Sequence, residues 1–113
     1  MINYFIIPGI KVPTITVDSI LWAIKSGFNV DEKDLRSRSR EKELVLARKL
    51  FTYAAIKYCN QTLHNIGGVL NRDHSNIAHY KKSINDFIDI GDKIFIEHLS
   101  RLEKQLMAYK VYR

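Results

Sequence analysis

The 113-residue sequence is 46% hydrophobic and 27% charged, a composition typical of a single soluble domain with a modest core. Its formal net charge is +6, and the positive excess lies in the middle of the chain. Residues 36–82 carry 10 basic and 3 acidic side chains. Residues 1–35 carry 3 basic and 4 acidic side chains, and residues 83–113 carry 5 of each kind. Such a concentration of positive charge is typical of a protein that binds a polyanion.

Two further features of the composition exclude whole classes of protein. Cys59 is the single cysteine, which excludes an internal disulfide and a thiolate metal cluster and fits a reducing compartment. The apolar run near the N-terminus is too short for a membrane span, and it lacks the basic start and cleavage site of a signal peptide. We therefore expect a cytoplasmic protein that does not contact membranes.

The first helix is predicted to follow an extended segment. Pro8, Gly9 and Pro13 break regular structure, so residues 1–15 are predicted to form an extended arm or edge strand. Residues 16–113 are predicted to form one helical domain. Thr16 is a suitable N-cap, and Gly27 is expected to end the helix. The apolar face of this helix is formed by Val17, Ile20, Leu21 and Ile24.

The longest helical pattern lies between two polar connections. Residues 29–40 are polar, become basic at their end and are predicted to form a loop. A helix is then predicted over residues 40–58, with Arg48, Lys49 and Lys57 off its apolar stripe. That stripe consists of Leu44, Ala47, Leu50, Phe51, Ala54 and Tyr58.

The second half of the chain predicts a helix-turn-helix. Thr62 can cap a short helix, and after the connection Asn71–Arg72 a new helix is predicted from Asp73, whose carboxylate suits a helix N-terminus. Its apolar residues are Ile77, Ile84, Phe87 and Ile88. Gly91 interrupts the pattern before a last amphipathic helix. The predicted fold is all-α, with about five helices around a helix-turn-helix and a short extended N-terminal segment.

The stretch NRDHSNIAHYKK, residues 71–82, concentrates polar side chains but predicts neither a metal site nor an enzyme. His74 and His79 are five residues apart, which separates them by about 140° around a helix, so they do not converge on one ion. Ser75 has no histidine in position to act as its base. Gly67 and Gly68 are not followed by a phosphate-loop lysine. We expect no cofactor, no metal and no catalytic activity.

The polar face of the predicted second helix allows two interpretations. It could be a solvated surface, but it lacks the Glu–Lys pairs spaced four apart that are common on exposed helices. Serine, asparagine and histidine are instead suited to the edges of DNA bases. The basic segment RSRSR, with Arg36, Arg38 and Arg40, could likewise be a flexible loop, or a minor-groove arm or phosphate clamp.

Two stretches together resemble the C-terminal DNA-binding domain of the bacterial replication initiator DnaA. They are DLRSRSREKELVLARKLFTYAAIKY and LHNIGGVLNRDHSNIAHYKKSI. The family shares a basic loop before a long helix, Ile-Gly in the first helix of the helix-turn-helix, and Arg-Asp-His-Ser/Thr at the start of the recognition helix. The resemblance covers about residues 16–106 and implies sequence-specific binding to double-stranded DNA.

The resemblance also implies roles for particular residues. A loop arginine, here Arg40, enters the minor groove, and Arg48 and Lys49 of the long helix approach the DNA. The start of the recognition helix reads the major groove with Arg72, Asp73, His74, Ser75 and Asn76. To these the helical wheel adds His79 and Lys82 on the outward face, and the charge pattern adds Arg36 and Arg38.

The sequence departs from the family pattern at the recognition helix. Asn76 and Ile77 replace a threonine and a valine, and the preceding turn is one residue shorter, with Asn71 where glycine is usual. These departures leave the target open between the standard DnaA box and a different sequence. The sequence also lacks the family's ATPase motor, so we expect a stand-alone DNA-binding protein, such as a phage or mobile element would encode, acting as a replication accessory or transcriptional regulator.

Two other functions remain as alternatives. The fold could serve as a protein-interaction module, for example one that binds a host replication protein. RNA binding is a weaker alternative, because a helix-turn-helix suits the major groove of B-form DNA.

Overall fold

The computed structural model describes residues 15–111, with side chains through residue 109. This part of the chain is all-α and contains six helices and no strand. The helices are α1 (Val17–Phe28), α2 (Glu32–Arg36), α3 (Lys42–Cys59), α4 (Leu63–Leu70), α5 (His74–Asp89) and α6 (Lys93–Val111). The extended segment expected at residues 1–15 lies outside the described range, apart from Ile15.

The predicted helix starts are confirmed at two threonines. Thr16 caps α1 with a reciprocal pair of hydrogen bonds, because its hydroxyl accepts from the Ser19 amide at 3.1 Å and the Ser19 hydroxyl accepts from the Thr16 amide at 2.8 Å. Thr62 caps α4 in the same way by accepting from the Asn65 amide at 3.1 Å. Both caps satisfy amides that have no partner inside their helix.

The helix ends depend on asparagine rather than on the glycine that the sequence suggested. The expectation that Gly27 ends α1 is wrong: the helix continues to Phe28, and Asn29 takes the left-handed conformation with φ 57°. Asn60 and Asn71 end α3 and α4 with φ 51° and 57°. Asparagine tolerates this conformation better than most residues because its short amide side chain can bond locally.

The loop predicted over residues 29–40 contains an unpredicted helix, α2. Its first turn is capped by Asp31, whose carboxylate accepts from the Asp34 amide at 3.0 Å, and Leu35 is buried beneath it. One helical turn with a single buried residue is too short to show helical periodicity in sequence. The count therefore rises from about five helices to six among the described residues.

One hydrophobic core joins all six helices. α1 packs mainly against α6 and α3, while α5 packs against α4 and α3. The predicted stripes supply most of this core, including Ile20, Phe51 and Ile77. Ile88 is an exception, because 40% of it is exposed at the end of α5. Within residues 15–111, none of the helices is apolar over a length that could cross a membrane.

Candidate nucleic-acid interface

A tight turn joins α4 to α5 and explains why Gly67 is a glycine. The Arg72 amide donates to the Gly67 carbonyl at 2.8 Å, which folds the chain back over the end of α4. A β-carbon on Gly67 would lie 2.4 Å from the Arg72 carbonyl oxygen, so no larger residue fits without a backbone shift. The neighbouring Gly68 has open space at the same position. Gly67 is therefore required for the close approach of the two helices.

α5 presents a polar face at its start, as the wheel predicted. Ile77 and Ile84 are buried, whereas His74, Ser75 and His79 are exposed and Asn76 is half-buried. The Asp73 backbone occupies the N-cap position, but its side chain makes no capping hydrogen bond, so the capping role expected of that side chain is not observed. Its exposed carboxylate still lies at the positive end of the helix dipole.

Lys82 lies about one turn of α5 beyond His79. It is exposed and forms an ion pair with Asp86 at 3.4 Å. A pair this exposed contributes little to stability. Its lysine therefore remains available to another anion.

Arg48 is buried, although the sequence placed it off the apolar stripe and the family resemblance implied that it approaches DNA. Only 1% of the residue is exposed. Its guanidinium group instead donates to backbone carbonyls of the segment before α3. The acceptors are Leu35 at 2.8 Å, Ser39 at 2.7 Å, Ser37 at 2.9 Å and Asp34 at 3.2 Å. A direct DNA contact does not fit this burial; the group holds the loop formed by residues 37–41, hereafter the basic loop.

Arg72 ties the same loop to the helix-turn-helix. Its Nη2 donates to the Ser37 carbonyl at 2.5 Å, and its Nη1 donates to the Leu70 carbonyl at 3.0 Å. The Ser37 carbonyl thus accepts from both Arg48 and Arg72. Arg36 adds a second link, with Nη1 donating to the Val69 carbonyl at 2.7 Å. Three of the predicted arginines therefore fix the position of the basic loop: Arg72 links it to the turn between α4 and α5, Arg48 links it to α3, and Arg36 links the preceding α2 to α4.

These connections bring residues from the basic loop, α3, the turn and α5 around one pocket of about 330 Å³, hereafter the basic pocket. Arg38 and Arg40 line it from the basic loop, Arg72 and Asn71 from the turn, and Asn76 from α5.

The floor of the basic pocket includes Arg48 and Tyr80. Burial lowers the pKa of Arg48, and the nearby charge of Arg72 lowers it further, while interaction with Tyr80 opposes the shift. An arginine keeps its charge in spite of such shifts. Since no carboxylate lines this pocket, the concentrated positive charge favours an anionic ligand.

Two residues lie differently from what the sequence suggested. Lys49 does not line the basic pocket; its Nζ lies 5.4 Å from the centre of the Phe87 ring, in a neighbouring groove that also contains Arg40. His64 was missed. Its exposed ring packs 4.3 Å from the ring of His74, measured between centroids, which places α4 beside the start of α5. No local pattern marks His64, because the contact depends on the turn between the helices.

The described side chains include no group of three histidine, cysteine or carboxylate residues arranged to hold a metal ion. The arginine and asparagine side chains that line the basic pocket offer recognition by charge and hydrogen bonding. Guanidinium groups can bind phosphate oxygens, and the amide of Asn76 can donate and accept at once.

These features define a helix-turn-helix domain, the architecture that other proteins use to place a helix in the major groove of DNA. Comparison with known sequences identifies the family. Residues 17–84 match the bacterial DnaA protein helix-turn-helix family, and the chain belongs to it. The resemblance inferred from the sequence motifs is thereby confirmed.

Individual relatives are chromosomal replication initiator proteins DnaA. The protein from Oleidesulfovibrio alaskensis is 35% identical over 82 residues, which cover 69% of this chain and 18% of the relative. The one from Desulfotalea psychrophila is 40% identical over 63 residues, covering 56% and 13%. The Bacteroides thetaiotaomicron protein is 28% identical over 93 residues, covering 81% and 20%. The chain thus spans about a fifth or less of the length of these relatives.

Proposed function

We propose that this protein binds double-stranded DNA at specific sequences, with α5 in the major groove and the basic loop in the adjacent minor groove. One observation carries the proposal: Arg38 and Arg40 of the loop line the same pocket as Arg72 and Asn76. A helix start and an arginine-bearing loop that are held side by side can contact a major groove and its neighbouring backbone together.

The proposed contacts divide into two kinds. Arg38, Arg40 and Lys82 contact phosphates or the narrow minor groove and supply most of the affinity. His74, Ser75, Asn76 and His79 face base edges, with His64 beside His74. Asn76 is the residue best suited to specificity, since its amide can bond adenine in a bidentate manner.

Arg36, Arg48 and Arg72 act by holding these groups in place, because their guanidinium groups are engaged with backbone carbonyls. Arg72 also lines the basic pocket and retains the role in DNA contact inferred from the family. Lys49, in the neighbouring groove, and Asp73, at the start of α5, are proposed to make additional contacts with DNA.

The biological role we propose is that of a replication accessory or a transcriptional regulator in the cytoplasm. The DnaA proteins that the chain resembles are named as chromosomal replication initiators, which favours a site near a replication origin. Other replication proteins are further proposed partners.

Selection of bound sequences from a random duplex library, followed by sequencing, tests the proposal. The selected sites should share a motif, and binding to it should weaken steeply with salt, with a slope of about −0.9 for each phosphate contacted. Binding that shows neither a shared motif nor salt dependence would instead favour the protein-interaction alternative.

Single substitutions separate the two kinds of contact. Asn76→Ala should relax the motif at one position, at a cost of roughly 1–3 kcal/mol for the preferred base. Arg40→Ala and Lys82→Ala are the matched controls, since each should weaken all duplexes about equally and leave the motif intact. A motif that is unchanged in Asn76→Ala would refute the proposed reading of bases.

A further inference from the structure

A second concave surface lies beside the basic pocket, between the start of α3, the end of α5 and the start of α6. This groove has a volume of about 430 Å³, within the range of pockets that bind a small ligand. Leu46, Phe87 and Phe95 form its floor, and the two phenylalanine rings stack with centroids 5.0 Å apart. It is therefore an apolar groove rather than an extension of the polar pocket.

Exposed apolar side chains surround the turn next to the groove. Ile90 is 74% exposed, Ile94 is 69% exposed, and Ile88 and Ile96 are also exposed. All four lie within nine residues, at the end of α5, the turn and the first turn of α6. Of the four, Ile94 lines the groove, and exposed apolar side chains concentrated in one segment are typical of a protein-binding site.

One side of the groove is basic. Lys42 and Lys49 are seven residues apart on α3, or about 10 Å at 1.5 Å per residue, and Arg40 precedes them. Within the described residues, neither Arg40 nor Lys42 has an ion pair or side-chain hydrogen bond. The Asp92 carboxylate lies across the groove but accepts from the Phe95 amide at 2.9 Å and so caps α6.

We propose that this groove binds an acidic peptide segment of another protein, with a large apolar side chain in the groove and carboxylates facing Lys42 and Lys49. The charge pattern selects this occupant. A second copy of this chain would bring two basic faces together, and a DNA backbone offers no apolar side chain for Leu46 and Phe87. Acidic residues about two helical turns apart, on either side of an apolar anchor, would match the two lysines.

A random 12-residue peptide library displayed on phage, selected against the full chain, tests the proposal. Enriched peptides should carry aspartate or glutamate around a large apolar residue. Ile94→Asn and Lys42→Glu should each weaken their binding at least tenfold, because the first removes apolar contact and the second reverses the charge. Both positions lie in the first turn of a helix and are exposed, and glutamate is favoured at a helix start, so both variants should fold.

Met107→Asn is the matched control, because Met107 is also an exposed apolar residue of α6 but does not line the groove. It should leave peptide binding unchanged. Replacing only the peptide carboxylate that faces Lys42 with lysine should restore binding to Lys42→Glu and weaken binding to the unmodified chain.

Four results would overturn the proposal. The enriched peptides could lack acidic residues or bind Ile94→Asn as well as the unmodified chain. Ile94→Asn could weaken duplex binding tenfold, which would assign the groove to the DNA interface. Sedimentation could show a dimer of the unmodified chain that Ile94→Asn dissociates, which would identify a second copy as the occupant.

Discussion

Replacing Arg48 with methionine distinguishes a residue that positions the basic loop from one that contacts DNA. Methionine keeps most of the length and volume of the buried stem and removes the guanidinium group. In the folded protein this group donates to four backbone carbonyls, those of Asp34, Leu35, Ser37 and Ser39. The substitution should therefore release the basic loop from α3 while leaving the core packing of that helix largely intact.

The effect on stability follows from opposing contributions. A hydrogen bond from a charged donor contributes about 1.5–3 kcal/mol net, but burying a guanidinium group costs several kcal/mol. The carbonyls of the exposed part of the loop can bind water once they are released. The Leu35 residue is 1% exposed, and its unpaired carbonyl should cost about 1–3 kcal/mol. We expect Arg48→Met to lower the free energy of unfolding by about 2–4 kcal/mol.

The effect of Arg48→Met on DNA binding follows from the increased mobility of the basic loop. If residues 38–40 become mobile, ordering three residues on binding costs about 1 kcal/mol each, or roughly 100-fold in affinity. The phosphate contacts of Arg38 and Arg40 are still made in the complex, so the salt slope should stay close to that of the unmodified chain.

Urea unfolding followed by Trp22 fluorescence measures the stability change, and fluorescence anisotropy with a labelled duplex at several salt concentrations measures the affinity and its slope. Hydrogen exchange should show faster exchange at the amides of residues 37–41. Arg40→Ala serves as the contrast, with little change in stability and a slope smaller by about 0.9. Unchanged stability together with a similarly reduced slope in Arg48→Met would show that Arg48 itself contacts phosphate and would refute the positioning role.

Three further predictions concern the scaffold. Gly67→Ala should destabilise the fold by about 2 kcal/mol or more, because its β-carbon would meet the Arg72 carbonyl oxygen at 2.4 Å. Gly68→Ala should be neutral or should stabilise the fold by up to about 1 kcal/mol. Thermal unfolding of the two variants checks this difference, and equal destabilisation would contradict it. Burial raises the pKa of the Cys59 thiol, so at pH 8 the thiol should react with Ellman's reagent more slowly in the folded protein than in the protein unfolded by urea. Any stability due to this pKa shift should be lost as the pH rises. Equal reaction rates in the folded and unfolded protein would show that the thiol is not protected. The hydrogen bond from the α2 backbone lowers the pKa of Asp31 in the folded protein. The carboxylate therefore adds stability at a pH above its pKa in the unfolded chain, and this stability is lost as the pH falls through its lower pKa in the folded protein. Asp31→Asn should lack this pH-dependent loss of stability in acid unfolding, and a pH dependence parallel to that of the unmodified chain would count against it.

The helices that are long enough to show periodicity could be predicted from sequence. Apolar residues at helical spacing located α1, α3, α5 and α6, and threonine caps located the starts of α1 and α4. These features are local, because a cap and an apolar stripe depend on residues within a few turns of each other. α2 was not predicted because it has one turn and one buried residue, Leu35.

The interior of the site was harder to predict. The helical pattern places Arg48 off the apolar stripe, and arginine is rarely buried. It is buried here because carbonyls from 9 to 14 residues earlier in the chain surround its guanidinium group. Ile88 illustrates the opposite case: it follows the apolar spacing of α5 but lies beyond the surface that α3 and α6 cover, and it is 40% exposed.

The sequence by itself determined the helix-turn-helix, the family and the location of the positive charge, because each is encoded in contiguous residues such as NRDHSNI and RSRSR. Only the tertiary structure decided which arginines bind backbone carbonyls of the protein itself and which do not. Three of them, Arg36, Arg48 and Arg72, bind backbone carbonyls of segments distant in the chain, and this leaves Arg38 and Arg40 on the open side of the basic pocket. Which arginines bind carbonyls depends on which backbone carbonyls lack another partner in the folded chain. The positions of those carbonyls are fixed only once the helices have packed.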